Sequence, residues 1–296
     1  MRHRLQALTI AFALLALAGA CDEVEARRHI QDGNKAYNSG KYDRAVTEYT
    51  AAITSHPELS IGWYNLGLAH LAMFQPGLKD PRNDEHAQGA IRAFQEYMKR
   101  YPDDNRARDW LLSTYIDSGH YEGALDYFRQ KYDKDPTDMQ ALAQLAQINA
   151  QAGNFEEANK WHQTRAKAET SVDGKADAWY SMGVLDWRRL NNRASVQGSE
   201  RARIADEGLY ALQQADATRK DHQATITYTN LLYRERAMAH EAGIARIVDL
   251  ASAQLYYKRA VDIARRTPSA PGQPGPAPGK PGTPGKPGKP GKPGGK

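Results

Sequence analysis

Residues 39–58 read SGKYDRAVTEYTAAITSHPE and residues 118–136 read SGHYEGALDYFRQKYDKDP. Gly40, Tyr42, Ala45, Tyr49 and Pro57 of the first stretch share their offsets with Gly119, Tyr121, Ala124, Phe128 and Pro136 of the second. The register extends in both directions. Gly33 and Gly67 stand 34 residues apart, as do Leu112 and Ala146, and Ala146 is followed after 37 residues by Gly183. Gly67 to Leu112 is 45 residues, one such step plus an 11-residue insertion lying within QPGLKDPRNDEHAQ, residues 75–88. A fixed period of this length confines the chain to an array of small units, each too small to enclose a core, which bury their apolar faces only by stacking.

The residue types say what one unit is. Two antiparallel helices fit between successive prolines, with Gly40, Gly119 and Gly153 in the turns, where a positive φ is wanted. Tyr42, Tyr121 and Phe155 open the second helices, and Pro57, Pro102 and Pro136 stop them. A small residue in the first helix (Gly33, Gly67, Ala146, Gly183) is expected to meet one in the second (Ala45, Ala90, Ala124, Ala158), with Tyr49, Phe94 or Phe128 beside the contact. Residues 75–88 read as a solvated loop, since their acids lack calcium-loop spacing.

The run Trp63-Tyr64-Asn65-Leu66-Gly67, followed by Ala90, Phe94 and Pro102, resembles the tetratricopeptide repeat. The resemblance implies an all-α fold, a right-handed α-solenoid of five or six helical hairpins over residues 21–267. Repeats fall at about 26–59, 60–104, 105–138, 139–172, 176–220 and 221–266. The fifth has a second helix expected from about Ile204, and the sixth alternatively reads as a non-repeat capping bundle. In this family the first helix of each unit lines a concave groove that holds a peptide or protein partner. Carried over by position, the groove residues are Asn34, Tyr37, Tyr64, Asn65, Leu68, Arg106, Asp109, Ser113, Gln144, Gln147, Gln151, Tyr180, Val184, Trp187 and Arg188. The aromatics Tyr64, Tyr180 and Trp187 fit inter-unit packing equally well. A carboxylate clamp, as in chaperone-tail receptors of the family, is disfavoured because Ile30 and Trp110 stand where cations are expected.

The ends of the chain differ from its middle. MRHRLQALTIAFALLALAGAC has two arginines, an apolar stretch from Ala7 to Ala18 and then small residues, the pattern of a secretory signal peptide over residues 1–20. The stretch is too short to span a bilayer, which takes about 20 residues. Leu17-Ala18-Gly19-Ala20-Cys21 resembles the bacterial lipobox, which implies a lipid on Cys21, the sole cysteine. Ala18-Gly19-Ala20 also fits ordinary signal peptidase, which would release a soluble periplasmic protein, so both readings stand. Residues 268–296 carry glycine at every third position from Gly279 to Gly294, five lysines and no acid. They read as a disordered, polyproline-biased cationic tail suited to an anionic surface.

Charge and composition exclude other classes. The net charge of +5 sits at the ends: residues 21–267 hold 33 basic and 35 acidic side chains. A nucleic-acid-binding domain would carry its positive charge on the folded part. One cysteine allows no internal disulfide and no cysteine-based metal site. His240-Glu241 is followed by Ile244 where a zinc motif needs a second histidine, and no phosphate loop or nucleophile elbow is present. The expectation is a non-enzymatic scaffold without metal or cofactor. It would be anchored in the bacterial cell envelope as a lipoprotein facing the periplasm, or released as a soluble periplasmic binding or regulatory module, or serve as a non-catalytic subunit of an envelope enzyme complex.

Overall fold

The computed structural model describes residues 22–192 and 196–266. The expected signal peptide, Cys21 and the tail lie outside them. The described residues form twelve helices and no strand. They are α1 (residues 22–38), α2 (Tyr42–Ser55), α3 (Ser60–Met73), α4 (Pro81–Arg100), α5 (Asn105–Ser118), α6 (Tyr121–Lys134), α7 (Met139–Gln151), α8 (Phe155–Ala168), α9 (Val172–Asn192), α10 (Gly198–Thr218), α11 (Gln223–Ala239) and α12 (Ile244–Arg266). The first eight, taken in pairs, follow the four repeats that the sequence period marks most clearly, and four more continue the all-helical run beyond them. The all-α, tetratricopeptide-like architecture follows from this pairing of short antiparallel helices.

The turns obey the expected chemistry. Gly40, Gly119 and Gly153 take φ of +73°, +83° and +82°, where a side chain would strain the backbone. Tyr42, Tyr121 and Phe155 are the first residues of α2, α6 and α8. The side chain of Asp104 caps α5 by accepting from the amides of Arg106 and Ala107, and Asp138 caps α7 by accepting from Ala141.

The chain divides into two compact units, with the division inside α6. In the first, residues 22–124, α2 packs on α3, α3 on α4 and α4 on α5. One core gathers Ile30, Ala45, Tyr49, Ile53 and Leu66, and a second is built on Ala90, Phe94 and Ala107. The glycines here make room for the aromatic of the second helix. A Cβ on Gly33 would lie 2.5 Å from the ring of Tyr49, and one on Gly67 2.7 Å from the ring of Phe94. The aromatic of the second helix therefore lies directly over the glycine of the first. The insertion departs from expectation: only residues 75–80 are non-helical. Asp80 caps α4, Pro81 takes its first position, and residues 81–88 extend the helix at its start. Buried Asn83 holds the short loop, accepting from the Gln75 amide and donating to the carbonyls of Gln75 and Leu78.

In the second unit, residues 125–266, each helix from α7 to α12 packs on the next and α9 also meets α11. Here α10 begins at Gly198, six residues ahead of the expected start at about Ile204. The sequence repeat fades in these last hairpins, and arginine ion pairs accompany the packing. Arg189 reaches Glu156 at 2.8 Å, Arg219 reaches Asp177 at 2.8 Å, Arg236 joins Asp206 to Asp249 at 2.6 Å each, and Arg259 reaches both Asp216 and Asp221 at 2.8 Å. Arg201 and Glu235 form a buried pair between α10 and α11. The outward side of α12 is apolar over its first half: Ile244, Ile247, Val248 and Leu255 are all exposed.

Candidate functional site

The residues assigned to a groove lie on α1, α3 and α5 in the first unit and on α7 and α9 in the second. In the first unit, Asn34 and Asn65 interlock. The Asn34 Oδ1 accepts from Asn65 Nδ2 at 3.1 Å and from the Tyr49 hydroxyl at 2.7 Å. That fixes the side chains of two successive first helices relative to each other and to the ring over Gly33. Burial pushes the Tyr49 hydroxyl well above the usual tyrosine range, so it remains a donor. Tyr37 stands edge-on to Tyr42 at 5.2 Å, and Tyr64 meets Phe94 at 6.0 Å and Tyr97 at 5.1 Å. Leu68 packs against the Phe94 cluster. Arg106, Asp109 and Ser113 are exposed along α5.

In the second unit, Gln147, Gln151 and Arg188 are exposed and Gln144 is half-buried. Tyr180 and Trp187 lie edge-on to Tyr228 of α11, at 5.8 and 5.1 Å, and Tyr180 also meets His222 at 5.5 Å. Burial pushes the Tyr180 hydroxyl up to about 12. Val184, assigned to the groove, is buried and offers nothing to a ligand; its position on α9 turns it into the core. The structure thus sorts the assigned residues into two kinds. Asn34, Asn65, Tyr37, Tyr64, Tyr180 and Trp187 are held by neighbours, while Arg106, Asp109, Ser113, Gln147 and Arg188 are exposed.

Two clusters escaped the sequence reading. His70 and His86 face each other with their Nδ1 atoms 3.2 Å apart, and a Cβ on Gly89 would lie 2.6 Å from the His70 ring. Burial, reinforced by His86 and Arg92, lowers the His70 pKa to about 4. Asp186 is fully buried on α9, where Asn159 of α8 donates to its Oδ1 at 2.8 Å. A signal for Asp186 was there: it falls four residues after Met182 and four before Leu190, in the core register of α9. Among the described residues no cluster of three or more His, Cys, Asp or Glu side chains forms a metal site, and no helix is long and apolar enough to cross a membrane.

Successive packed helices, with a glycine under the partner ring at Gly33 and Gly67, define a helical-repeat protein. A family model for the tetratricopeptide repeat matches residues 31–72 and 83–138, and one for the TT21 fifth ARM repeats domain matches residues 113–222. Residues 31–138 of the chain carry tetratricopeptide repeats. Among solved structures, Naa15/Naa10 bound to HypK-THB is similar in fold, with a TM-score of 0.51 at 16% identity over 83% of this chain and 38% of that one. A TPR repeats protein from Bacteroides fragilis NCTC 9343 aligns with TM-score 0.37 and 17% identity, over 82% of this chain and 99% of that one. The MamA protein aligns with TM-score 0.33 and 15% identity, over 82% and 93%. No curated protein matches the sequence. Repeats of this type support a protein-interaction scaffold.

Proposed function

We propose that the chain is a non-enzymatic scaffold anchored in a bacterial envelope through a lipid on Cys21, and that it captures a protein or peptide on the first helices of its hairpins. The observation that carries the capture reading is that first helices of both units expose polar side chains: Arg106, Asp109 and Ser113 on α5 in the first, and, taken by themselves, Gln147 on α7 and Arg188 on α9 in the second. The helices that carry them are already ordered, so binding would have only the exposed side chains to immobilise, at about 0.5–1.5 kcal/mol each. Exposed arginine and amide groups next to half-buried aromatics suit a polypeptide ligand. The anchoring reading rests on the thiol at the cleavage point. Each buried acyl CH₂ contributes about 0.8 kcal/mol, so two or more chains hold a protein firmly. The lysine-rich residues 268–296 would add contact with an anionic surface.

Mass spectrometry of the mature N-terminus tests the anchor. An acylated Cys21, and loss of the protein from the membrane fraction in Cys21→Ser, are expected. A free Cys21 thiol in a soluble protein would overturn the anchor and leave the capture surface standing.

A further inference from the structure

Asp186 and Asn159 pose a problem in hydrogen-bond bookkeeping. Both side chains are buried, at 0% and 6% exposure. Asn159 Nδ2 donates to Asp186 Oδ1, which leaves Asn159 Oδ1 and Asp186 Oδ2 buried without a partner. Each orphan is an acceptor, so no rotation of either group pairs them while the acid is ionised. A single proton on Asp186 turns one of the two into a donor and lets acid and amide bond reciprocally. An unmet buried acceptor costs about 1–3 kcal/mol, and a buried charge more.

No cation stands in for that proton. Arg189, one turn along α9, reaches Glu156 of α8 at 2.8 Å and Glu200 of α10 at 3.4 Å. Arg203 of α10 joins Glu200 and Glu207. The α10 residue against Asp186 is Gly208, on which a Cβ would come within 3.0 Å, and α11 presents Leu232 to the same glycine. On α11 the charged Glu235 is tied to Arg201. Arg189 and Arg203 favour the carboxylate, and Glu207 and burial oppose it, with burial the largest effect.

We propose that Asp186 is a carboxylic acid paired reciprocally with Asn159, and that its ionisation loosens the joint between the fourth and fifth hairpins. Burial raises its pKa from the usual value to about 7, so the change falls near neutrality. The sign follows from linkage: an acid with a raised folded pKa contributes fully when protonated in both states, below about pH 4. The contribution is lost as pH rises towards 7.

Asp186→Asn mimics the protonated acid, because an amide also both donates and accepts. In the full chain, the urea midpoint of the wild type should fall relative to this variant between pH 4.5 and 7.5. Backbone amides of α8–α10 should exchange at equal rates in the two proteins at pH 5, and several-fold faster in the wild type at pH 8. Parallel midpoints and equal exchange at both pH values would overturn the proposal. Should the variant fail to fold, ¹³C-carboxyl NMR of aspartate-labelled wild type decides. One signal titrating near pH 7 supports the acid, and all signals titrating below pH 5 refute it.

Discussion

Gly67 of α3 lies beneath the ring of Phe94 of α4, so closely that a Cβ there would come within 2.7 Å of the ring tip. Phe94 is fully buried and has no room to retreat. Helix propensity alone favours Gly67→Ala by about 1 kcal/mol. Overpacking of about 1–3 kcal/mol opposes it. The expected outcome is a net loss for Gly67→Ala and a larger one, about 3 kcal/mol, for Gly67→Val, read as lowered urea midpoints. A stabilised Gly67→Ala would mean that the ring does not occupy that space.

Arg201 and Glu235 form a buried ion pair across α10 and α11, each side chain 9% exposed. Arg201 also donates through Nε to the Val196 carbonyl at 2.7 Å. Removing one partner strands the other charge, so Arg201→Met should cost about 3–5 kcal/mol. Replacing both, as Arg201→Met with Glu235→Leu, should recover most of that loss. Chemical denaturation of the two single variants and the double variant closes the cycle. A double variant as unstable as the sum of the singles would show that the pair is not one unit.

Two half-buried histidines should shape the acid side of the stability profile. Burial, with His86 and Arg92 nearby, lowers His70 to about 4, and burial with Arg165 nearby lowers His162 to about 4. A base whose folded pKa is depressed contributes fully above its unfolded value of 6.5, and the contribution is lost as pH falls towards 4. Each should remove up to about 3 kcal/mol across that window. Double substitution His70→Gln with His162→Gln should flatten the fall in urea midpoint between pH 6.5 and 4.5. An unchanged slope would place the acid lability elsewhere. Asp186 runs in the opposite direction over the same range, so the two effects are separable only by substitution.

How legible the fold was depended on how many positions repeat. Gly33, Gly67, Tyr49, Phe94, the turn glycines and the helix-ending prolines recur in register, and together they mark the first four hairpins; beyond residue 172 the pattern fades and marks little more than the start of α9. Pattern reading failed where a single residue decides. Asp80 and Pro81 start a helix inside a stretch of turn-forming residues, because a cap and a first-position proline outweigh the local composition. The start of α10 at Gly198 lies beyond the reach of apolar periodicity, since its first turn holds Glu200 and exposed surface. The candidate site was legible only as positions on first helices. Whether Tyr64 or Trp187 is covered depends on Phe94, Tyr97 and Tyr228, partners distant in the chain.

That division makes the proposed binding surface testable apart from the packing beneath it. Trp187→Ala removes a ring that lies against Tyr228 and belongs to the core around Leu209 and Leu212, so it should lower stability by about 3 kcal/mol. Arg106→Glu and Arg188→Glu alter exposed charges and should leave stability within about 0.5 kcal/mol. If a polypeptide lies on the first helices, a photo-crosslinker at Asp109 or Gln147 should join one defined protein in intact envelopes. The same group at exposed Asp126, on second helix α6, should not. The two charge reversals should weaken that crosslink several-fold while unfolding stays unchanged. Equal crosslinking from Asp126 would move the partner off the first helices altogether.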